Sequence, residues 1–171
     1  MDTSSRPLPS IGFLIKLTLL SWFSIIGFDF LLHAGLLSSL YSQPSPFLLP
    51  PDRAFALIPI GYLSFLVFDI FLLWLMLKLD LLGWKKGAIF GLQVGFLAWG
   101  AFSIGLFSIT TAPPILLLAW FLGQAIELGI AGGVIGYGLT QTKLGRLFFS
   151  VLVFVIISIV IAVVLQNIGF A

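Results

Sequence analysis

Apolar residues in this chain fall in long runs, not in the alternation of half-buried strands or the narrow stripes of water-facing helices. Five runs are long enough to cross about 30 Å of hydrocarbon at about 1.5 Å per residue. They cover about 11–40, 54–77, 87–109, 115–139 and 147–168. Each must be a helix, because a backbone segment in lipid has to satisfy its own N–H and C=O groups. The expected fold class is all-α: an integral membrane bundle of five transmembrane helices forming a single domain over residues 1–171. The runs use most of the chain and leave no room for a soluble domain. The first run follows Arg6 as the apolar core of a signal peptide follows its basic region. It exceeds the about 7–15 residues of a signal core, and no small-x-small cleavage site follows, so it reads as a retained span.

Composition then identifies the solvent. The 171 residues are 60% hydrophobic and 8% charged, against about 45–50% and about 25% in a soluble domain. Eight basic and six acidic side chains cannot cover a water-facing surface of this size. The mean hydropathy of +1.22 agrees. These values exclude a cytosolic enzyme, a disordered tail and a disulfide-rich secreted module. Nucleic-acid binding is excluded as well: the pI is near 9.2, but the net charge is only +2 and the basic residues are scattered. Without cysteine there are no thiolate sites, disulfides or redox motifs.

Charge placement sets the expected orientation. Arg6, Lys16, Lys78, Lys85, Lys86, Lys143 and Arg146 fall on the side of the N-terminus and the second and fourth loops; the other side has Arg53. Seven against one places the N-terminus in the cytoplasm and the C-terminus outside, in a multi-pass protein of the cell (inner or plasma) membrane. Five spans also require opposite ends. The first loop holds Pro44, Pro46, Pro50 and Pro51, so it is stiff and non-helical. Asp52 is expected to cap the second span, and Pro59 to kink it. Thr110 to Pro114 forms a short turn that pre-sets the fourth span, making spans three and four an antiparallel hairpin. Trp84 and the Lys85–Lys86 pair sit at headgroup level as topology anchors.

The informative residues are polar ones inside the spans: Asp29, His33, Asp69, Gln93, Gln124 and Glu127. Charged groups near a bilayer centre are costly and normally face a bundle interior or cavity. Asp29 and His33 are four apart and share a face with Trp22. Asp69 shares one with Tyr62, and Gln124 and Glu127 lie on a stripe with Trp120 and Ala131. All three carboxyls are expected within roughly 10 Å of one depth. No Lys or Arg lies deep in a span to neutralise them. Desolvation and mutual repulsion therefore favour the neutral form of at least one. The same residues also allow a structural reading, in which acids and amides hydrogen-bond across helices and hold them together. One His and three carboxylates suit a divalent ion, but no spacing motif assigns a metal, and the expected metal set is none. There is no H-E-x-x-H, G-x-S-x-G or bis-His pair.

Gly87, Gly91 and Gly95 repeat every four residues on the third span, and Ala125, Gly129 and Gly133 on the fourth, with Gly132 and Gly136 nearby. Small-xxx-small stripes let helices approach closely in lipid. The fourth span thus has a close-packing face opposite its Gln124/Glu127 face, which makes it central. The fifth, almost entirely Val, Ile, Phe and Leu apart from Ser158 and Ala162, belongs at the periphery.

Two resemblances add to this reading. Asp29-x-x-x-His33-Ala34-Gly35, with Tyr41, Trp120 and Glu127 in a glycine-rich helix, resembles a set of uncharacterised small bacterial polytopic membrane proteins, over the first four spans. It implies no activity, and the fifth span would be additional. Pro44-Ser45-Pro46 with Pro50, Pro51, Pro59 and Tyr62 in a five-span chain is similar to the first loop and second helix of the TspO/translocator family. That resemblance implies a binder of tetrapyrroles or sterol-like ligands, although buried acids stand where the family carries Trp- and Asn-rich motifs.

The functional expectation is a membrane protein that binds a proton or a small ligand, with a role in transport. Asp29, Asp69 and Glu127 would be the protonatable groups, and His33, Gln93, Gln124 and Tyr62 their hydrogen-bonding partners. Its partners would be the lipid bilayer and a small hydrophobic or protonatable ligand, with no nucleic acid and no assigned cofactor. The rival is an accessory or assembly subunit, in a homo-oligomer or larger membrane complex, whose polar residues only pack helices. An intramembrane enzyme and a TspO-like binder of hydrophobic ligands stand behind these two.

Overall fold

The computed structural model describes residues 9–41 and 45–169, so Arg6 and Pro44 lie outside the described residues. All regular structure among the described residues is helical. Helix α1 (Ile11–Phe30) runs into a π-helical segment (Leu31–Leu36) and a short α2 (Ser38–Tyr41). Four long helices follow: α3 (Pro51–Lys78), α4 (Trp84–Ile109), α5 (Pro114–Gly138) and α6 (Gly145–Asn167). Five helices, counting α1 with its π segment, are long and apolar enough to cross a membrane.

The boundaries have local causes. Ser10 caps α1, its hydroxyl accepting the Phe13 N–H at 3.3 Å. Pro51 and Pro114 occupy first-turn positions, where a missing N–H costs nothing. The cap expected from Asp52 is not formed. Helix α3 starts at Pro51, a turn before the expected 54, so Asp52 lies inside the first turn and complements the helix dipole instead. The helix continues through Pro59. The first span is not one α-helix to residue 40. It widens at residues 31–36, where the Leu37 N–H bonds the Leu32 carbonyl at 2.8 Å. Gly35 lies in this segment, so close to α6 that an added Cβ would come within 3.2 Å of the Ala162 Cα. Gln166 of α6 also donates to the Ala34 carbonyl at 2.8 Å.

Helices α4 and α5 form the expected hairpin, with backbones in contact. A Cβ on Gly87 would collide with the Gly132 carbonyl oxygen, and one on Gly91 with that of Leu128. The stripe on α5 runs through Ala125, Gly129, Gly132 and Gly136; Gly133 makes only ordinary contact and is displaced from the expected set. The opposite face of α5 meets α1 and α3, so α5 is the central helix. Helix α6 lies at the periphery, its Val151, Val155, Ser158 and Ala162 turned in toward α1. Large apolar side chains elsewhere point outward, among them Val67, Leu97, Ile104 and Phe149. A belt of this extent fits a lipid environment.

Helix α3 packs unevenly. Its buried residues are Asp69, Leu72, Leu73 and Met76, all in the C-terminal half. The N-terminal half of α3 has no buried residue and borders a gap in the bundle at the end that carries Tyr41.

Candidate functional site: a carboxyl–histidine cluster at the end of an aromatic cavity

The gap beside α3 is a cavity of about 750 Å³. Its walls are aromatic: Phe55, Tyr62 and Phe65 from α3, Trp99 and Phe102 from α4, and Trp120 from α5. Asp29, His33, Tyr41 and Gln124 contribute its polar groups. That pairing of an apolar body with a few convergent polar groups is the usual form of a small-molecule site.

The α-to-π transition places two of the polar groups. Asp29 ends the regular part of α1 and His33 lies in the wider turn, with His33 Nε2 3.3 Å from Asp29 Oδ1. The other ring nitrogen, Nδ1, lies 2.5 Å from the Tyr41 hydroxyl. Trp120 Nε1–H donates to that hydroxyl at 2.6 Å, so α5 is tied to α2 and through it to His33. Burial pushes the Tyr41 phenol up to about 12, with the Asp29 and Glu127 carboxyls adding to the effect and the Trp120 bond opposing it. Tyr62 of α3 lines the same cavity as Asp29.

Glu127 completes the group from α5. It is 1% exposed, and neither carboxyl oxygen has a hydrogen-bond partner among the described residues. One ligand atom each from Asp29, His33 and Glu127 lie within 4.8 Å of one another. Glu127 and Gln124 also border a void of about 10 Å³, roughly the space of one water. A buried polar group without a partner costs stability, so its retention asks for an explanation.

Asp69, expected in this cluster, is elsewhere. It is fully buried among α1, α3 and α5, where Ser21 Oγ lies 2.7 Å from its Oδ1 and 3.2 Å from the Ala131 carbonyl oxygen. Ser21 precedes Asp29 by two turns of α1, or about 12 Å, and the wide cavity does not reach Asp69. Gln93 is not brought in either. It lies on the exposed face of α4, because Gly91 and Gly95 occupy the face that meets α5. Asp29, His33, Tyr62, Gln124 and Glu127 do converge. The residues missed were Tyr41 and, Tyr62 apart, the aromatic wall. With 18 Phe and five Trp in the chain, aromatic content alone does not say which rings line a cavity. Only the Tyr41 spacing, eight residues beyond His33, gave a hint.

No protein-family model, curated protein or solved structure matches this chain.

Proposed function

We propose that this chain is a multi-pass protein of the cell membrane, N-terminus in the cytoplasm and C-terminus outside, that binds a small lipid-borne ligand. The ligand's apolar body would occupy the aromatic cavity and its polar head would meet the Asp29–His33–Glu127 cluster. One observation carries the reading: an about 750 Å³ apolar cavity ends at Asp29 and His33, with an unpartnered Glu127 behind them. In the proposed orientation Lys16, Lys78, Lys85, Lys86, Lys143 and Arg146 lie at the cytoplasmic end, and the cavity opens in the outer half. The gap between α3 and α4 gives a ligand a sideways path from lipid. A TspO-like binder of hydrophobic ligands would use the same cavity. The rival structural reading is favoured at Asp69, where the Ser21 hydroxyl engages one carboxyl oxygen and the wide cavity does not reach.

Gly61 lines the cavity on α3, and a Cβ added there meets nothing within 4 Å. Gly61→Leu therefore narrows the cavity while improving a helix interior. A brominated long-chain alcohol should quench Trp99 and Trp120 saturably in the wild type and more weakly in Gly61→Leu. Quenching that never saturates, or that Gly61→Leu leaves unchanged, rejects the reading.

A further inference from the structure

We propose that Asp29, His33 and Glu127 form a binding site for one divalent transition-metal ion, with an open coordination position facing the aromatic cavity. This deepens the ligand-binding reading and rests on it only for what occupies the open position.

Three observations point to an ion. The first is the donor set: two carboxylates and one imidazole from α1, its π turn and α5, with one ligand atom from each inside a 4.8 Å group. The second is Glu127, buried to 1% exposure, aimed into that group and left without a hydrogen bond among the described residues. The third is charge. Two carboxylates sit here and no Lys or Arg is paired with either among the described residues. A divalent ion cancels two carboxylate charges in one step, where a single proton would leave one buried anion.

Geometry narrows the ion. His33 Nε2 and Asp29 Oδ1 are 3.3 Å apart. Ligands about 2.0–2.1 Å from a tetrahedral ion are separated by about 3.3–3.4 Å, a spacing this pair already has and Glu127, within 4.8 Å, would reach by a small approach. An imidazole donor disfavours Mg²⁺ and Ca²⁺, which prefer all-oxygen shells. The outer shell is also in place. In the tautomer whose Nδ1–H donates to Tyr41, Nε2 is the bare nitrogen that a metal needs, and the Trp120 N–H fixes the Tyr41 oxygen. Three protein ligands leave one tetrahedral position vacant. Asp29 and His33 line the cavity, so that position faces it and takes an oxygen donor from the ligand head.

The test uses full-length protein without a polyhistidine tag, stripped with a chelator in detergent and titrated with Zn²⁺ alone, then with Co²⁺. Wild type should bind one Zn²⁺ per chain in preference to Mg²⁺, and the Co²⁺ form should show the intense visible bands of a four-coordinate ion. Glu127→Gln and Asp29→Asn, chosen for their near-identical shape, should each weaken Zn²⁺ by more than the about 10–100-fold of an outer-shell loss. Tyr41→Phe should fall within that range. Absence of stoichiometric Zn²⁺ in the wild type overturns the proposal. So does Zn²⁺ binding that survives in the Asp29→Asn/Glu127→Gln double variant, since the ion then sits elsewhere. The two readings fail separately: Gly61→Leu should still bind Zn²⁺ while binding the brominated alcohol more weakly, and metal-free wild type should still bind the alcohol.

Discussion

Two buried carboxyl environments lie about two helical turns apart along α1, and they differ in what surrounds them. Asp69 sits where three helices meet, with one oxygen 2.7 Å from the Ser21 hydroxyl, which also approaches the Ala131 carbonyl. Ser21 has one hydrogen and two oxygen neighbours. The Ser21 hydroxyl donates to Asp69 Oδ1 and lies close to the Ala131 carbonyl, while Asp69 Oδ2 has no hydrogen-bond partner among the described residues. That arrangement links α1, α3 and α5 and borders no large cavity. Glu127 is equally buried, yet neither of its oxygens has a partner among the described residues, and its nearest ionisable neighbours are Asp29 and His33 beside a wide aromatic opening. Burial of an acid in a membrane bundle is therefore not what marks a site. The mark is an acid whose hydrogen-bonding capacity the fold leaves unused next to space that a ligand can enter.

The comparison is tested most severely at Asp69. Asp69→Ala removes the tie to Ser21 and leaves a hole, and should lower unfolding free energy by about 2–3 kcal/mol, read from denaturation in bicelles. Quenching by the brominated alcohol should be unchanged. If binding is lost while the fold persists, the two environments are one functional unit and the distinction collapses.

Glu127→Gln should behave the opposite way. It swaps an unpartnered acid for an amide of the same shape, so stability should stay within about 1 kcal/mol of the metal-free wild type. A destabilisation as large as that of Asp69→Ala would make Glu127 a structural tie as well.

The smallest effect concerns Tyr41, which belongs only to the cavity region. Its folded value of about 12 lies above the ordinary 10, so folding favours the neutral phenol. That contribution is whole below about pH 10 and is lost as pH rises toward about 12. The tyrosinate absorbance difference between the wild type and Tyr41→Phe should isolate one phenol that titrates late. The late step should survive Asp69→Asn, whose position is remote from the phenol. A Tyr41 that titrates near 10 would mean that the Trp120–Tyr41–His33 link is open to solvent.

Much of this was legible in the residues. The five apolar runs matched the five long helices within a few residues, because span length is set by hydrocarbon thickness and composition. The exceptions came from packing. The π segment after Phe30 is where α6 lies against Gly35, a long-range contact that no local pattern encodes. Asp29, His33, Gln124 and Glu127 stood out because lipid penalises them. Helical phase placed Asp29 with His33 and Gln124 with Glu127, but phase within one helix cannot say which neighbouring helix a face meets. For that reason Asp69 and Gln93 entered the expected cluster, and Tyr41 did not.

By itself the sequence determined the solvent, the number of long helices, the close α4–α5 pairing through small residues and the set of polar residues needing an explanation. These follow from terms that act residue by residue: transfer into lipid, helix length and side-chain size. Tertiary structure decided which of those polar residues share a site. It paired Asp69 with Ser21, turned Gln93 outward, brought Glu127 to Asp29 and His33, and opened a cavity beside them. Those outcomes depend on rotation and spacing between helices, which are fixed by the summed packing of several faces.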